Sequence, residues 1–148
     1  MMDIQDFLLV EDNPDDELLT LRAIKRKHIA NPVVIVHDGA QALDYLFCRG
    51  EFAARDVTRV PSLVLLDLKL PKVDGIEVLR QMRGHDSTRM IPVVIFTTSN
   101  EESDIINSYQ FGANSFVRKP VVFEEFLEAV GQLGLYWLVL NQPPKRGD

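Results

Sequence analysis

The chain has 148 residues, 46% of them hydrophobic, and a formal net charge of −6; this is enough for one well-filled core and too short for a second folded domain. The acidic balance supplies none of the broad positive field that nucleic-acid binding needs, and the single cysteine, Cys48, excludes an internal disulfide. The start lacks a basic flank and long apolar stretch, and no apolar run approaches the about 20 residues that cross a bilayer, so a cytoplasmic protein without membrane or nucleic-acid partners is expected.

Short apolar runs alternate with longer periodic segments along the whole chain, the pattern of parallel strands joined by crossover helices. Phe7-Leu8-Leu9-Val10 reads as the first strand, apolar throughout and so covered on both faces. A helix follows from Pro14 to Lys27, capped by Asn13, with Asp15, Asp16 and Glu17 at its positive end and Leu18, Leu19, Leu21 and Ile24 on its buried side. Val33 to Val36 is the second strand and Ala40 to Phe47 the second helix, and a charged connection from Arg49 to Pro61 leads to the third strand, Leu63 to Leu66. That strand ends on Asp67. The turn from Leu70 to Gly75 opens a third helix, Ile76 to Met82, and the fourth strand, Val93 to Phe96, ends on Thr97-Thr98-Ser99-Asn100. Glu101 to Phe111 forms the fourth helix, closed by Gly112, and Ser115 to Arg118 the fifth strand, ending on Lys119-Pro120. Val122 to Leu140 is the last helix, bent near Gly131 and Gly134, and residues 141–148 make a loose tail after a domain spanning residues 1–140.

Such alternation implies a three-layer α/β sandwich with right-handed crossovers. Each polar cluster falls where a strand finishes: Glu11-Asp12, Asp67, Thr97 and Lys119. Ligand sites of open α/β sheets lie at those carboxyl ends, so these separated residues are expected to converge. Glu11, Asp12 and Asp67 together would repel one another unless a cation intervened, and hard oxygen ligands without histidine or cysteine suit Mg²⁺. An ionised Asp67 needs no base to attack phosphorus, provided that Lys119, the Thr97 hydroxyl and the metal neutralise the developing charge.

Glu11-Asp12-Asn13, Leu66-Asp67-Leu68-Lys69-Leu70-Pro71 with Asp74-Gly75, Phe96-Thr97 and Phe116-Val117-Arg118-Lys119-Pro120 together resemble the receiver domains of two-component response regulators. The Glu-Asp-Asn-Pro-Asp-Asp opening and the long connection before the third strand are most similar to stand-alone regulators that serve phytochrome-like photosensor histidine kinases. The resemblance implies a flavodoxin-like (βα)5 fold with a parallel sheet of order 2-1-3-4-5. It implies Asp67 as phosphoacceptor, and Glu11, Asp12, Asp67 and the main-chain carbonyl of Lys69 as Mg²⁺ ligands. Lys119 would pair with the phosphoryl group, the Lys119-Pro120 peptide would be cis, Thr97 and Phe116 would form the switch, and Lys69, Thr98 and Ser99 would modulate the lifetime of the acyl phosphate, with Lys69 and Ser99 flanking the mouth. The partners implied are a sensor histidine kinase and a downstream protein reached by contact, since no output domain is expected.

Two other classes fit these residues less well. An enzyme of the haloacid-dehalogenase type uses a second Asp two residues after its nucleophile, where this chain has Lys69, and a role as phosphate carrier in a multistep relay stays open. A flavodoxin-type binding module needs a hydroxyl- and glycine-rich phosphate loop after the first strand, where this chain has acids, and no P-loop occurs. Beyond Gly131 the last helix is apolar on more sides than one sheet can bury, so a homodimer is expected through the fourth helix, fifth strand and last helix, including Tyr136 and Trp137.

Overall fold

A computed structural model describes residues 5–144. Five parallel strands, β1 (Phe7–Val10), β2 (Val33–Val36), β3 (Leu63–Leu66), β4 (Val93–Thr97) and β5 (Ser115–Arg118), form one sheet in the order β2-β1-β3-β4-β5. Between and after them come α1 (Pro14–Arg26), α2 (Gly39–Leu46), α3 (Gly75–Arg83), α4 (Glu102–Gln110) and α5 (Phe123–Gly134). The fold is the (βα)5 flavodoxin-like sandwich.

Alternation along the strands divides the core in two. Leu8, Val10, Val64, Leu66, Val93 and Ile95 meet α2 and α3 through Ala42, Leu43, Leu46, Val78, Leu79 and Met82. Phe7, Leu9, Leu63, Leu65, Val94 and Phe96 meet α1 and α5 through Ala23, Ile24, Phe126, Leu127 and Val130. Apolar residues on both faces are what a sheet covered on both sides requires, and they hold β1 in register with β3 from Phe7 opposite Leu63 to Val10 opposite Leu66. The two strands therefore end together, and the residues after them, Glu11 and Asp67, emerge side by side.

Helix starts follow the local chemistry. Asn13 Oδ1 accepts the Asp15 and Asp16 amides with Pro14 in the first turn, and Asp38 and Asp74 cap α2 and α3 through the Gln41 and Glu77 amides. Gly112, at φ +100°, ends α4 as its position required. The connection after α2 contains a single 3-10 turn, Gly50–Phe52, and is held by Arg55, whose guanidinium lies 3.8 Å from the centre of the Tyr45 ring and bonds the carbonyls of Tyr45 and Arg59.

Three expectations are corrected. Leu18 is 60% exposed, because the buried stripe of α1 runs through Thr20, Ala23 and Ile24, roughly half a helical turn away. The helical spacing of Phe123, Phe126, Leu127 and Val130 assigns all four to the sheet-facing side of the last helix, but Phe123 is 44% exposed and takes Arg22 over its ring. The last helix is α-helical only to Gly134, and Leu135–Leu140 continues as a wider π-helical segment. Leu133, Trp137 and Leu138 pack on the α1 and α5 side of the core, and Leu135, Trp137, Leu138 and Val139 line a groove with Lys27–Asn31 at the α1–β2 turn. Most of that apolar surface thus turns back onto its own domain, leaving Tyr136, Val139 and Leu140 exposed. Gly131 and Gly134 permit this approach: a Cβ would lie 2.7 Å from the Lys27 side chain at the first and 2.7 Å from Ile29 Cδ1 at the second. Of the expected tail, residues 141–144 carry no regular structure and residues 145–148 lie outside the described residues.

Candidate functional site

Parallel pairing delivers the polar residues to one edge. The Glu11 amide donates to the Val36 carbonyl, the Asp67 amide to that of Val10, and the Lys119 amide to that of Thr97 at 2.7 Å, so backbone bonds fix each residue's start before its side chain makes a contact. Gly75 lets the start of α3 close over the site. A Cβ there would stand 2.3 Å from the Asp67 carbonyl oxygen and 2.8 Å from Leu68 Cα, and the Gly75 amide donates to the Leu68 carbonyl.

Glu11 and Asp67 are buried and Asp12 is exposed, and oxygen atoms of the three lie within 4.8 Å of one another. Glu11 splits its oxygens between the Asn13 amide (Oε2, 3.2 Å) and Lys119 (Oε1, 2.7 Å). Asp67 splits its own between the Lys69 amide (Oδ1, 3.3 Å) and Lys119 (Oδ2, 2.9 Å). Burial pushes the Glu11 carboxyl up to about 7, with the Asp67 charge adding to that and the Lys119 ammonium opposing it. Burial also works against the charge of Lys119, yet its ammonium is held above the ordinary lysine range, by the hydrogen bond to Asp16, then by the charge of Asp67 and the hydrogen bonds to Glu11 and Asp67. A buried cation among buried anions is stable only as a set, since removing one partner strands the others.

A cavity lined by Asp12, Asn13, Pro14, Asp16, Asp67, Lys69, Thr98 and Lys119 opens over Asp67. A second, lined by Asp12, Leu68, Lys69, Leu70, Pro71, Asp74, Ile76 and Asp104, opens beside it. The all-oxygen donor set of Glu11, Asp12 and Asp67 fits a hard divalent cation such as Mg²⁺, whose charge would offset the mutual repulsion of these carboxylates. Among the described residues this is the one cluster of its kind.

Other expected residues stand differently. Thr97 is fully buried with its hydroxyl turned toward the Ser99 amide at 3.4 Å, and exposed Thr98 takes the place over the cavity. Ser99, expected to flank the mouth, is also buried, its hydroxyl bonded to Asp104. With β4 ending at Thr97, the following turn sends Thr98 outward and Ser99 back under α4. Phe116 is half-buried against the α2 and α3 side of the core, away from the cavity lining. The Lys119-Pro120 peptide is trans, since there is no cis peptide bond among the described residues; trans is the lower-energy isomer by about 0.5–1 kcal/mol, and nothing in the local sequence opposed it. Asp16, expected only to favour the helix start, reaches Lys119 at 2.8 Å. Its spacing, one helical turn past Asp12 on a helix whose N-terminus faces the site, was the available signal.

The chain matches the response regulator receiver domain over residues 7–131. It is 42% identical over 137 residues to the probable methanogenesis regulatory protein FilR2 of Methanothrix harundinacea, covering 93% of this chain and 86% of that protein. The solved structure of the phosphorylated cyanobacterial phytochrome response regulator RcpA superposes with a TM-score of 0.89 at 35% identity, covering 97% of this chain and 100% of that one. The Mn²⁺-bound form of response regulator Rcp1 does so at 0.88 and 34%, covering 95% and 99%. A metal-compatible acidic pocket at the strand ends, on a receiver fold matched along nearly the whole chain, places this protein among the response regulator receiver domains of two-component signalling systems.

Proposed function

We propose that Asp67 is the phosphoacceptor and that a phosphohistidine of a sensor histidine kinase is its donor. The observation that carries this reading is the Lys119 ammonium, which spans Glu11 and Asp67 in the lining of a cavity open to solvent. In the transfer, a carboxylate oxygen of Asp67 forms a bond to phosphorus as the bond from phosphorus to the imidazole nitrogen breaks and its electron pair returns to the ring. Lys119 neutralises charge on the phosphoryl oxygens, and the Thr97 hydroxyl turns from the Ser99 amide toward them, with Phe116 repacking behind it. Glu11, Asp12, Asp67 and the Lys69 carbonyl would hold a Mg²⁺ ion, which would supply the remaining charge neutralisation. Lys69 and Thr98, both at the cavity, govern water access to the acyl phosphate.

The protein acts as a stoichiometric acceptor rather than a turnover enzyme, a reading supported by Lys69 standing where an aspartyl phosphatase would carry its general acid. A phytochrome-like kinase is the partner suggested by the likeness to RcpA. Val121, which is 95% exposed and lines a cavity with Lys119, offers it an apolar contact at the mouth, and exposed Leu18 on α1 a further apolar surface. The phosphorylated form acts by contact with a downstream protein, in the cytoplasm, and as a homodimer in which Tyr136, Val139 and Leu140 take part.

Incubation with acetyl phosphate and Mg²⁺ tests the core of the reading. Stable one-to-one, hydroxylamine-labile labelling that disappears in Asp67→Asn, with the fold retained, is the expected result. A label persisting at this site in the substituted protein, or rapid multiple turnover, would refute it.

A further inference from the structure

Three carboxylate oxygens surround the Lys119 ammonium: Asp16 Oδ2 at 2.8 Å and Asp67 Oδ2 at 2.9 Å accept hydrogen bonds from it, and Glu11 Oε1 forms an ion pair with it at 2.7 Å. Glu11 and Asp67 belong to the metal-compatible trio with Asp12, but Asp16 does not. It comes from the first turn of α1, where the Asn13 side chain caps its amide and the Thr20 hydroxyl bonds its carbonyl. Its backbone is thereby held while its carboxylate points back into the site. The Asp16 side chain is 20% exposed against 4% for that of Lys119, and it lines the rim of the cavity over Asp67. Of the influences that keep Lys119 charged against its burial, the Asp16 hydrogen bond is the largest.

We propose that Asp16 is a positioning residue that holds Lys119 in the unloaded protein and competes with the phosphoryl group for it, setting how readily Asp67 is loaded. The inference rests on Asp67 being the acceptor. When Asp67 becomes an acyl phosphate, the negative charge that Lys119 met on its carboxylate moves outward onto the phosphoryl oxygens, toward the rim where Asp16 stands. The ammonium must then divide three N–H bonds among Glu11, Asp16 and an anion of greater charge. At the same time the Asp16 carboxylate repels that anion across a partly desolvated gap. Solvent at the rim screens part of this repulsion, which makes Asp16 a tuning charge rather than a block.

Asp16→Asn keeps an oxygen for one Lys119 N–H and removes the charge; Asp16→Ala removes both. Calorimetric titration with beryllofluoride, a tetrahedral phosphoryl mimic, at saturating Mg²⁺ and with Mg²⁺ alone reads two opposite expectations. Beryllofluoride should bind about five- to tenfold tighter to Asp16→Asn, and Mg²⁺ about two- to threefold weaker, because loss of one negative charge favours the anion and disfavours the cation. Asp16→Ala should shift both in the same directions. The half-saturating concentration of acetyl phosphate should fall in step with the beryllofluoride constant. A purely structural role would lower thermal stability and weaken both ligands together. Beryllofluoride affinity within twofold of the unsubstituted protein, or weaker, in both variants overturns the proposal. If the unsubstituted protein neither binds beryllofluoride nor acquires a label at Asp67, the acceptor reading is what fails.

Discussion

The acidic edge of the sheet and the C-terminal segment are both finished by residues that follow a regular element, but they are held in different ways. At the acidic edge, Glu11 and Asp67 leave buried strands and Lys119 a half-buried one, each on a backbone hydrogen bond to the neighbouring strand, and their side chains then meet over a few ångströms. The geometry is set by the sheet, and the remaining energy is electrostatic and conditional on every partner being present. In the C-terminal segment, Leu133, Trp137 and Leu138 are held only by nondirectional packing against α1 and the turn after it, made possible by two glycines that let α5 approach. The first region tolerates almost no displacement and little change of charge. The second should tolerate rearrangement, losing stability by degrees.

The largest departure is expected from Gly75→Ala, which would drive a Cβ into the Asp67 carbonyl. The backbone there cannot yield without moving the acceptor, so we expect a loss of about 3 kcal/mol by chemical denaturation and a larger proportional loss of phosphorylation. Normal labelling in a fully stable variant would show that the start of α3 is not rigidly coupled to the site.

A smaller effect is expected at the other end. Trp137→Ala should cost about 1.5 kcal/mol, as befits a half-buried aromatic, with labelling of Asp67 unchanged. Tyr136→Glu should leave stability nearly unaltered, because Tyr136 is 52% exposed, but should abolish self-association in sedimentation runs with and without acetyl phosphate. A monomer in both states before substitution would remove the dimer. The ring pair formed by these residues, 5.0 Å apart and nearly perpendicular, joins a side chain that packs inward to one left facing out.

The smallest expected signal is thermal. Glu11, raised to about 7 by burial, binds its proton more tightly in the folded state, so its contribution to stability is fully present below its ordinary value of 4.5 and is lost as pH rises through about 7. Without a divalent cation the protein should therefore lose stability from pH 5 to pH 8. Because Mg²⁺ binds the ionised carboxylate, millimolar Mg²⁺ should raise the melting temperature more at pH 8 than at pH 6. An equal rise at both values would mean that Glu11 is already ionised without the ion.

Most of the frame is legible in the order of residues along the chain. Four-residue apolar runs can be satisfied only in a sheet covered on both faces, and Asn13, Asp38 and Asp74 announce helix starts by chemistry that acts over two or three residues. The convergence of Glu11, Asp67 and Lys119 followed because parallel strands must finish at one edge. Tertiary structure alone decided matters that depend on which side of an element a neighbour occupies. Leu18 and Ile24 are equally apolar in the chain, yet one faces solvent and the other the core, because the sheet lies along only one stripe of α1. Thr97, Thr98 and Ser99 are three similar hydroxyls in a row, and only the turn after β4 sends the middle one over the cavity. Along the chain the glycines of α5 are only weak points of a helix, whereas in the fold α1 and the turn after it occupy the space their missing side chains leave. Asp16 gains its contact with Lys119 across 103 residues of chain; its spacing from Asp12 puts it on the side of α1 that faces the site, but the partner is chosen only by the closing of α1 over the sheet's edge.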